Sequence, residues 1–215
     1  MSTTSPSIPS NPVAERRSRA KVLPPPHTRG GMPLMEALSL RRSTREYASR
    51  ALPLQSLSDL LWAAYGINRA DCGDYTAPYW RHIAVLDVYV AMTDGVWRYS
   101  PERHLLMPHL PVDLRAATGL QDFVGTAPVN LIYVAHGDRM HDLTPEQRRL
   151  YASVDAAFIG QNVYLYCAGS GLASVFRGAF DEASLAKAMH LGADEFITFT
   201  QTVGYPRHAE SDHHG

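Results

Sequence analysis

The feature that most constrains this fold is a long helical segment with almost no polar face. Residues 144–147 (TPEQ) suit a helix start, because Thr can cap, Pro fits the first turn and Gln completes a capping box. The segment runs to about Ala168 and ends at Gly169 and Gly171. Its second half, residues 154–168, is apolar almost all round. We therefore expect this helix at the centre of the core or in a subunit interface.

Shorter apolar runs predict strands, and amphipathic runs predict further helices. The predicted strands are 84–91, 95–99, 128–135, 172–176 and 196–203. The predicted helices run from Pro33 toward Arg41, from a Ser56 cap to Gly66, over 112–118 and over 181–190. The two types do not alternate as regular βαβ units, so the pattern predicts a mixed α+β fold rather than a doubly wound sheet.

The composition of both chain ends differs from that of the middle. Residues 1–29 are rich in Ser, Pro, Thr and Arg, which is typical of a flexible or extended arm. Such an arm either wraps a partner subunit or is a mobile tail. Residues 208–215 form a polar tail that contains three histidines. We expect the folded domain between these two segments.

Charge and cysteine content argue against several classes of protein. With 20 basic and 21 acidic residues, nothing favours a nucleic-acid or membrane-surface partner. No apolar run approaches the roughly 18 residues of a membrane span, and the N-terminus has no secretory apolar region. Cys72 and Cys167 form no CxxC pair, and the histidine spacing suits no compact metal site. We expect a reduced, cytoplasmic chain without a metal ion.

The strongest local signal for ligand binding is the basic cluster at residues 41–45 (RRSTR). Three guanidiniums and two hydroxyls stand together there at a helix exit. Arginine pairs bidentately with phosphate oxygens, and hydroxyls add neutral donors. The cluster suits a phosphomonoester, although a solvated basic face is the alternative.

A second signal is the stretch 169–178 (GSGLASVFRG). It suggests a dinucleotide-binding loop, but that fingerprint requires a strand before it and a helix after it. Here a helix precedes and an extended segment follows, so Gly169 and Gly171 are better explained as a helix stop. Further along, Gly178 would allow a flat ligand to approach the main chain.

Taken together, these segments resemble the nitroreductase-like FMN-dependent family. The matching pieces are 30–38 (GGMPLMEAL), 41–47 (RRSTREY), 57–69 (LSDLLWAAYGINR), 76–78 (TAP), 87–90 (DVYV), 95–99 (GVWRY), 155–162 (DAAFIGQN) and 204–206 (GYP). Each piece is loose alone, but their order and spacing are specific, and they span about residues 30–207. The sequence is most similar to the branch that includes azoline (thiazoline or oxazoline) dehydrogenases.

The resemblance implies an α+β fold with a central, mainly antiparallel sheet flanked by helices. It also implies an intertwined homodimer with FMN at the subunit interface, for which the apolar helix 154–168 is suitable. The implied contacts to the FMN phosphate and ribityl chain are Arg41, Arg42, Ser43 and Arg45, with Arg207 as a further phosphate contact. The implied contacts along the isoalloxazine are Phe176, Arg177 and Gly178, with a backbone N–H near flavin N5.

One segment departs from the family pattern. Where members often have Ala-Pro-Ser-Ala and then a small polar run ending near Asn, residues 77–82 read Ala-Pro-Tyr-Trp-Arg-His. Tyr79 replaces the small serine, and His82 stands near the usual asparagine. Because this segment borders the substrate pocket in the family, Tyr79 and Trp80 would narrow that pocket or stack on an aromatic substrate. Alternatively, they are core aromatics in a differently packed loop.

The expected function is that of an FMN-dependent oxidoreductase with a ping-pong mechanism. NAD(P)H would deliver a hydride to flavin N5, and a nitroaromatic, quinone or similar conjugated acceptor would then take two electrons. This scheme requires no dedicated acid or base, and we assign no catalytic residue. Two alternatives stay open: an FMN-dependent dehydrogenase of azoline-type substrates, and a flavin-binding or sequestering protein without turnover.

Overall fold

A computed structural model describes residues 19–207 of the chain. Its strands are β1 (Lys21–Val22), β2 (Ile67–Arg69), β3 (Asp74–Tyr75), β4 (Leu86–Met92), β5 (Gly95–Ser100), β6 (Leu105–Leu110), β7 (Val129–His136), β8 (Ala173–Arg177) and β9 (Glu195–Gly204). Its α-helices are α1 (Leu34–Leu40), α2 (Leu54–Tyr65), α3 (Phe123–Thr126), α4 (Pro145–Gly169) and α5 (Glu182–Ala188). Short 3₁₀ turns lie at Trp80–His82, Arg115–Thr118 and Gly137–Met140.

The main sheet has seven strands in the order β1-β6-β5-β4-β7-β9-β8. Every neighbouring pair is antiparallel. Strands β2 and β3 form a separate hairpin. The predicted α+β fold with a central antiparallel sheet is therefore confirmed, and each of the five predicted strands is present.

The central strands are buried on both faces, which explains their nearly continuous apolar sequences. Successive side chains of a strand point to opposite faces. Val88 and Leu131 pack in the core that includes residues of α2 and α4. Their neighbours Tyr89 and Ile132 pack with Leu185 of α5 on the other face. Helices thus flank the sheet on both sides.

Helix α4 begins at the predicted capping box. Thr144 Oγ1 accepts the Gln147 N–H at 3.3 Å, and the Gln147 side chain accepts the Thr144 N–H at 3.1 Å. One face of α4 is buried against the sheet through Ala152, Ala156, Ile159, Val163 and Cys167. Another face exposes large apolar side chains, namely Leu150, Tyr151, Val154 and Phe158. The expected burial holds for one face, and the exposed face is compatible with the predicted subunit interface.

Although α4 has 25 residues, it is not a membrane span: no helix within residues 19–207 is long and apolar enough to cross a bilayer.

Part of the segment predicted as an arm is packed on the domain. Lys21–Val22 pairs with β6, and Leu23 is buried. Next along the chain, the Pro24 carbonyl accepts the Ser58 hydroxyl. The start of this described stretch is therefore extended and packed, because the edge of β6 offers main-chain partners that the local sequence does not reveal. The rest of the predicted arm, residues 1–18, and the tail 208–215 lie outside the described residues.

Helix α2 begins two residues before the predicted cap. Its first residue is Leu54, and Pro53 precedes it without a side-chain cap. Ser56 therefore lies inside the first turn, so its prediction as the capping residue was wrong. The fixed φ angle of proline pre-organises this helix start without a side-chain hydrogen bond.

Candidate functional site

A cavity of about 560 Å³ lies where the segment after α1, the end of α4 and the start of β8 meet. Small-molecule sites commonly have volumes of about 300–1,000 Å³. The polar residues of its lining are Ser39, Arg41, Arg42, Thr44, Tyr164 and Ser174. The cavity therefore includes two arginines of the predicted phosphate-binding cluster.

The basic cluster is fixed to the outer edge of the sheet. The Thr44 N–H donates to the Ser174 carbonyl of β8 at 2.9 Å. The buried Tyr47 donates its hydroxyl to the Thr44 carbonyl at 2.6 Å, and burial raises the pKa of Tyr47 above its usual range. The segment is therefore held by main-chain bonds, which leaves the side chains around Thr44 available for a ligand.

The guanidiniums of the cluster have no acidic partner within residues 19–207. Arg41 is partly buried, and its guanidinium lies 5.3 Å from the centroid of the Tyr164 ring. Arg42 and Arg45 are exposed, although Arg45 is not part of the cavity lining. Within residues 19–207, none of the three forms a salt bridge. This arrangement suits an anion rather than an internal ion pair.

Tyr164 connects the cluster to β8, and the sequence did not single it out. Its hydroxyl lies 2.8 Å from Ser43 Oγ and accepts the Phe176 N–H at 2.8 Å. The only local signal was a tyrosine near the end of an apolar helix.

Arg207 reaches the same region through its main chain. Its N–H donates to the Glu46 carbonyl at 3.1 Å, and its side chain is exposed.

The Phe176 side chain faces α4 from the edge strand β8. Its ring centroid lies 5.7 Å from that of Tyr133 and 4.6 Å from that of Phe199. The ring also packs so closely on Gly160 that a Cβ there would lie 2.5 Å from two ring carbons. Phe176 is therefore positioned by the core, and its main-chain N–H is already bonded to Tyr164.

The Arg177 side chain points to the opposite face of the sheet. It is 5% exposed and donates to the Thr118 carbonyl at 2.8 Å, Asn130 Oδ1 at 3.2 Å and Thr202 Oγ1 at 2.9 Å. Burial lowers the pKa of Arg177 to about 10. The guanidinium does not line the cavity, so only the main chain here, followed by the exposed Gly178, is available to a flat ligand.

The predicted pocket residues Tyr79 and His82 form a second cluster around Asp74. Tyr79 donates its hydroxyl to Asp74 Oδ1 at 2.6 Å, and its ring meets Tyr75 edge-on at 5.0 Å. His82 Nδ1 lies 3.6 Å from the same carboxylate oxygen. Hydrogen bonds from Tyr79 and Cys72 lower the pKa of Asp74 to about 2. In this structure the ring and the hydroxyl of Tyr79 both have partners within the chain.

Trp80 packs against the first half of α4. Its main-chain N–H donates to Asp155 Oδ2 at 2.9 Å, and its ring centroid lies 5.9 Å from that of Tyr151. The cavity beside the arginines instead contacts the end of α4, and it is lined by none of the three predicted substrate-pocket residues. Within one chain, the structure does not bring Tyr79, Trp80 and His82 to this cavity.

The pH dependence of stability should report on Asp155. This carboxylate is 4% exposed, and burial raises its pKa to about 6. The unfolded value is about 3.9, so the folded chain holds the proton more tightly and stability falls as the pH rises from about 4 to 6. Asp155→Asn keeps a side-chain oxygen that can accept the Trp80 main-chain N–H. Because asparagine does not ionise, the substitution also removes this loss of stability at high pH. We expect it to raise the free energy of unfolding by about 3 kcal/mol at pH 8 and by less than about 1 kcal/mol at pH 4.

Urea denaturation at both pH values measures this difference. Asp142→Asn is the matched control, since Asp142 is an exposed carboxylate that pairs with Arg81, next to Trp80. The control should change stability by less than about 1 kcal/mol at either pH. Parallel pH profiles for the wild type and Asp155→Asn would contradict the prediction.

Comparison with known proteins gives consistent matches. The sequence pattern described as the nitroreductase family matches residues 38–205. A proposed nitroreductase from Methanocaldococcus jannaschii is 33% identical over 168 residues, which cover 74% of this chain and 84% of that relative. The crystal structure of a proposed nitroreductase from Ralstonia eutropha has a TM-score of 0.86 at 44% identity, covering 90% of this chain and 92% of that one.

A more distant structure shares the fold alone. The NADPH:FMN oxidoreductase from Vibrio harveyi, solved in complex with NAD⁺, has a TM-score of 0.60 at 17% identity. The match covers 81% of this chain and 69% of that one.

Proposed function

Because this chain belongs to the nitroreductase family, we propose that it is an FMN-dependent oxidoreductase. The observation that carries the proposal is the cavity of about 560 Å³ lined by Arg41 and Arg42, whose charges have no carboxylate partner within residues 19–207. Bound FMN would supply the two-electron chemistry, and the protein would supply binding and orientation.

The residues present fit both ends of FMN. A phosphomonoester carries a charge of about −1.5 to −2, which two or more arginines can neutralise. Arg41 and Arg42 would bind the phosphate from the cavity wall, with Ser43, Arg45 and Arg207 as nearby exposed donors. The exposed Gly178, which follows β8, leaves the main chain accessible to the flat ring system. We assign no catalytic acid or base.

A homodimer is part of the proposal. The apolar side chains Leu150, Val154 and Phe158 on α4 are each more than two-fifths exposed. Three apolar residues of α1, namely Leu34, Met35 and Leu38, are exposed as well. A second copy packed on these faces would bury them. It would also offer a route by which Tyr79 and Trp80 of one subunit approach the ligand of the other.

We further propose NAD(P)H as the electron donor and a nitroaromatic, quinone or similar conjugated molecule as the acceptor, in a ping-pong sequence. The Vibrio harveyi neighbour, named for its use of NADPH and FMN, motivates the donor. The finer assignment to the azoline dehydrogenase branch stays a prediction from the sequence motifs.

Reconstitution with FMN tests the proposal. The purified chain is mixed with FMN, freed of unbound flavin by gel filtration, and examined by visible absorption and light scattering. We expect bound flavin and a dimeric mass. Loss of the flavin absorbance on anaerobic addition of NADH or NADPH, and its return on addition of a quinone or nitroaromatic, would support the full scheme. A chain that retains no FMN would contradict it.

Two other outcomes select the alternatives. Flavin that is bleached by dithionite but not by NAD(P)H, and that is reduced by an azoline, would indicate a dehydrogenase. Flavin that is bleached by dithionite and then not reoxidised by small acceptors would indicate a flavin-binding protein without turnover.

A further inference from the structure

Tyr164 joins two parts of the proposed FMN site that are distant in sequence. Its hydroxyl lies 2.8 Å from Ser43 Oγ, 121 positions away, and 2.8 Å from the main-chain nitrogen of Phe176. The tyrosine also lines the cavity, and the Arg41 guanidinium lies over its ring. One phenol therefore contacts the basic segment and the edge strand together.

The chemistry of these groups fixes the direction of one of the two hydrogen bonds. A main-chain N–H can only donate, so the Phe176 N–H occupies a lone pair of the Tyr164 oxygen. The single proton of the phenol is then free to be donated to Ser43 Oγ. The 2.8 Å distance suits either hydroxyl as the donor, and when Tyr164 donates, Ser43 keeps its own proton for another acceptor.

We propose that Tyr164 is a positioning residue that aims the Ser43 hydroxyl proton at an oxygen of a bound phosphate. The proposal rests on the proposed function, because the phosphate is that of FMN. The chain of donors runs from the Phe176 N–H through Tyr164 to Ser43, so the positive end of the last dipole faces the anion. Hydrogen bonds that polarise one another in this way strengthen each other, and a charged acceptor strengthens the final one.

This role differs from a packing role in what it predicts for different ligands. A tyrosine that only packed would affect FMN and riboflavin equally, because both have the same ring system. A tyrosine that acts through Ser43 affects the phosphate, which riboflavin lacks. Removing Ser43 Oγ should also abolish the effect of removing the phenol, since the two groups then act as one unit.

The test is a double-mutant cycle with two ligands. Dissociation constants for FMN and riboflavin are measured by flavin fluorescence in the full-length wild type, Y164F, S43A and the S43A/Y164F double variant. We expect Y164F and S43A each to weaken FMN binding by about ten-fold and riboflavin binding by less than about two-fold. The double variant should be no weaker than S43A by more than about two-fold.

Tyr166→Phe is the matched control. Tyr166 lies two positions further along α4, is absent from the lining of this cavity, and donates its hydroxyl to the Ser56 carbonyl at 3.3 Å. The control should leave both dissociation constants unchanged. Thermal unfolding confirms that each variant is folded.

The possible results separate this proposal from the one it rests on. A wild type that binds no FMN overturns both. Normal wild-type binding with unchanged affinity in Y164F, equal losses for FMN and riboflavin, or additive losses in the double variant would overturn the role of Tyr164 alone. If Y164F fails to fold, S43A provides a second test, because Ser43 is exposed and its replacement should not affect folding. An unchanged ratio of FMN to riboflavin affinity in S43A would also overturn the proposal.

Discussion

Replacing Arg41 and Arg42 together with alanine should weaken FMN binding by about 100-fold or more and leave riboflavin binding nearly unchanged. Both arginines line the cavity, and neither has a carboxylate partner among residues 19–207. Each charge-assisted contact that is lost weakens binding by about 1.5–3 kcal/mol, and 1.4 kcal/mol corresponds to a factor of ten. Riboflavin has the same rings but no phosphate, so comparing the two ligands isolates the contribution of the phosphate contacts.

The measurement is a fluorescence titration at one fixed ionic strength, because exposed charges are screened by salt. A matched control removes the same net charge elsewhere, through Arg103→Ala with Lys187→Ala, two exposed positions outside the cavity lining. The control should bind both flavins like the wild type. If the arginine pair proved dispensable for FMN, the cluster would be the solvated basic face that the sequence left open.

Arg45 gives a separate comparison. The family resemblance includes it among the phosphate contacts, whereas the structure leaves it exposed and outside the cavity lining. Arg45→Ala in the same titration therefore tests the resemblance rather than the cavity.

Gly160→Ala should lower the free energy of unfolding by about 3 kcal/mol, although alanine normally favours a helix over glycine by about 1 kcal/mol. The added Cβ would lie 2.5 Å from Cδ2 and Cε2 of Phe176 and 3.2 Å from Gln201 Oε1. Phe176 cannot easily move away, because Tyr133 and Phe199 hold its ring. Overpacking therefore exceeds the gain in helix propensity.

Urea denaturation of the flavin-free chain measures the effect. Gly125→Ala is the control, since Gly125 also lies in a helix, α3, and a Cβ there would meet the Ala116 side chain at an ordinary 3.4 Å. The control should stay within about 1 kcal/mol of the wild type. A Gly160→Ala variant as stable as the wild type would mean that the Phe176 ring has room to shift.

The parts of the fold that the sequence predicted well depend on local signals. Helix α4 begins where Thr144 and Gln147 form their capping box, because all the partners lie within four residues. Strand β1 escaped prediction because a two-residue strand exists only through its pairing with β6, more than 80 positions away. Elsewhere in the chain too, contacts between residues close in sequence could be predicted, whereas contacts between distant residues could not.

The candidate site shows this difference too. The basic cluster could be found from the local sequence, and three of its five residues, Arg41, Arg42 and Thr44, line a cavity. Tyr164 could not, because its two partners meet it only in three dimensions. The direction of the Arg177 side chain depends on the register of β8 against β9, where it lies opposite Thr200, and no local pattern sets that register.

The two edge strands of the main sheet, β8 and β1, are partly blocked, and this limits how the chain can associate. At one end, the Thr44 N–H donates to the Ser174 carbonyl of β8, and the Tyr164 hydroxyl accepts the Phe176 N–H. At the other, β1 is two residues long and is followed by three prolines at 24–26, which have no N–H to donate to an added strand. Each end therefore offers an incoming strand only a short or interrupted template, and such edges disfavour sheet extension. The exposed apolar side chains of α1 and α4 are the surface that the proposed dimer would cover.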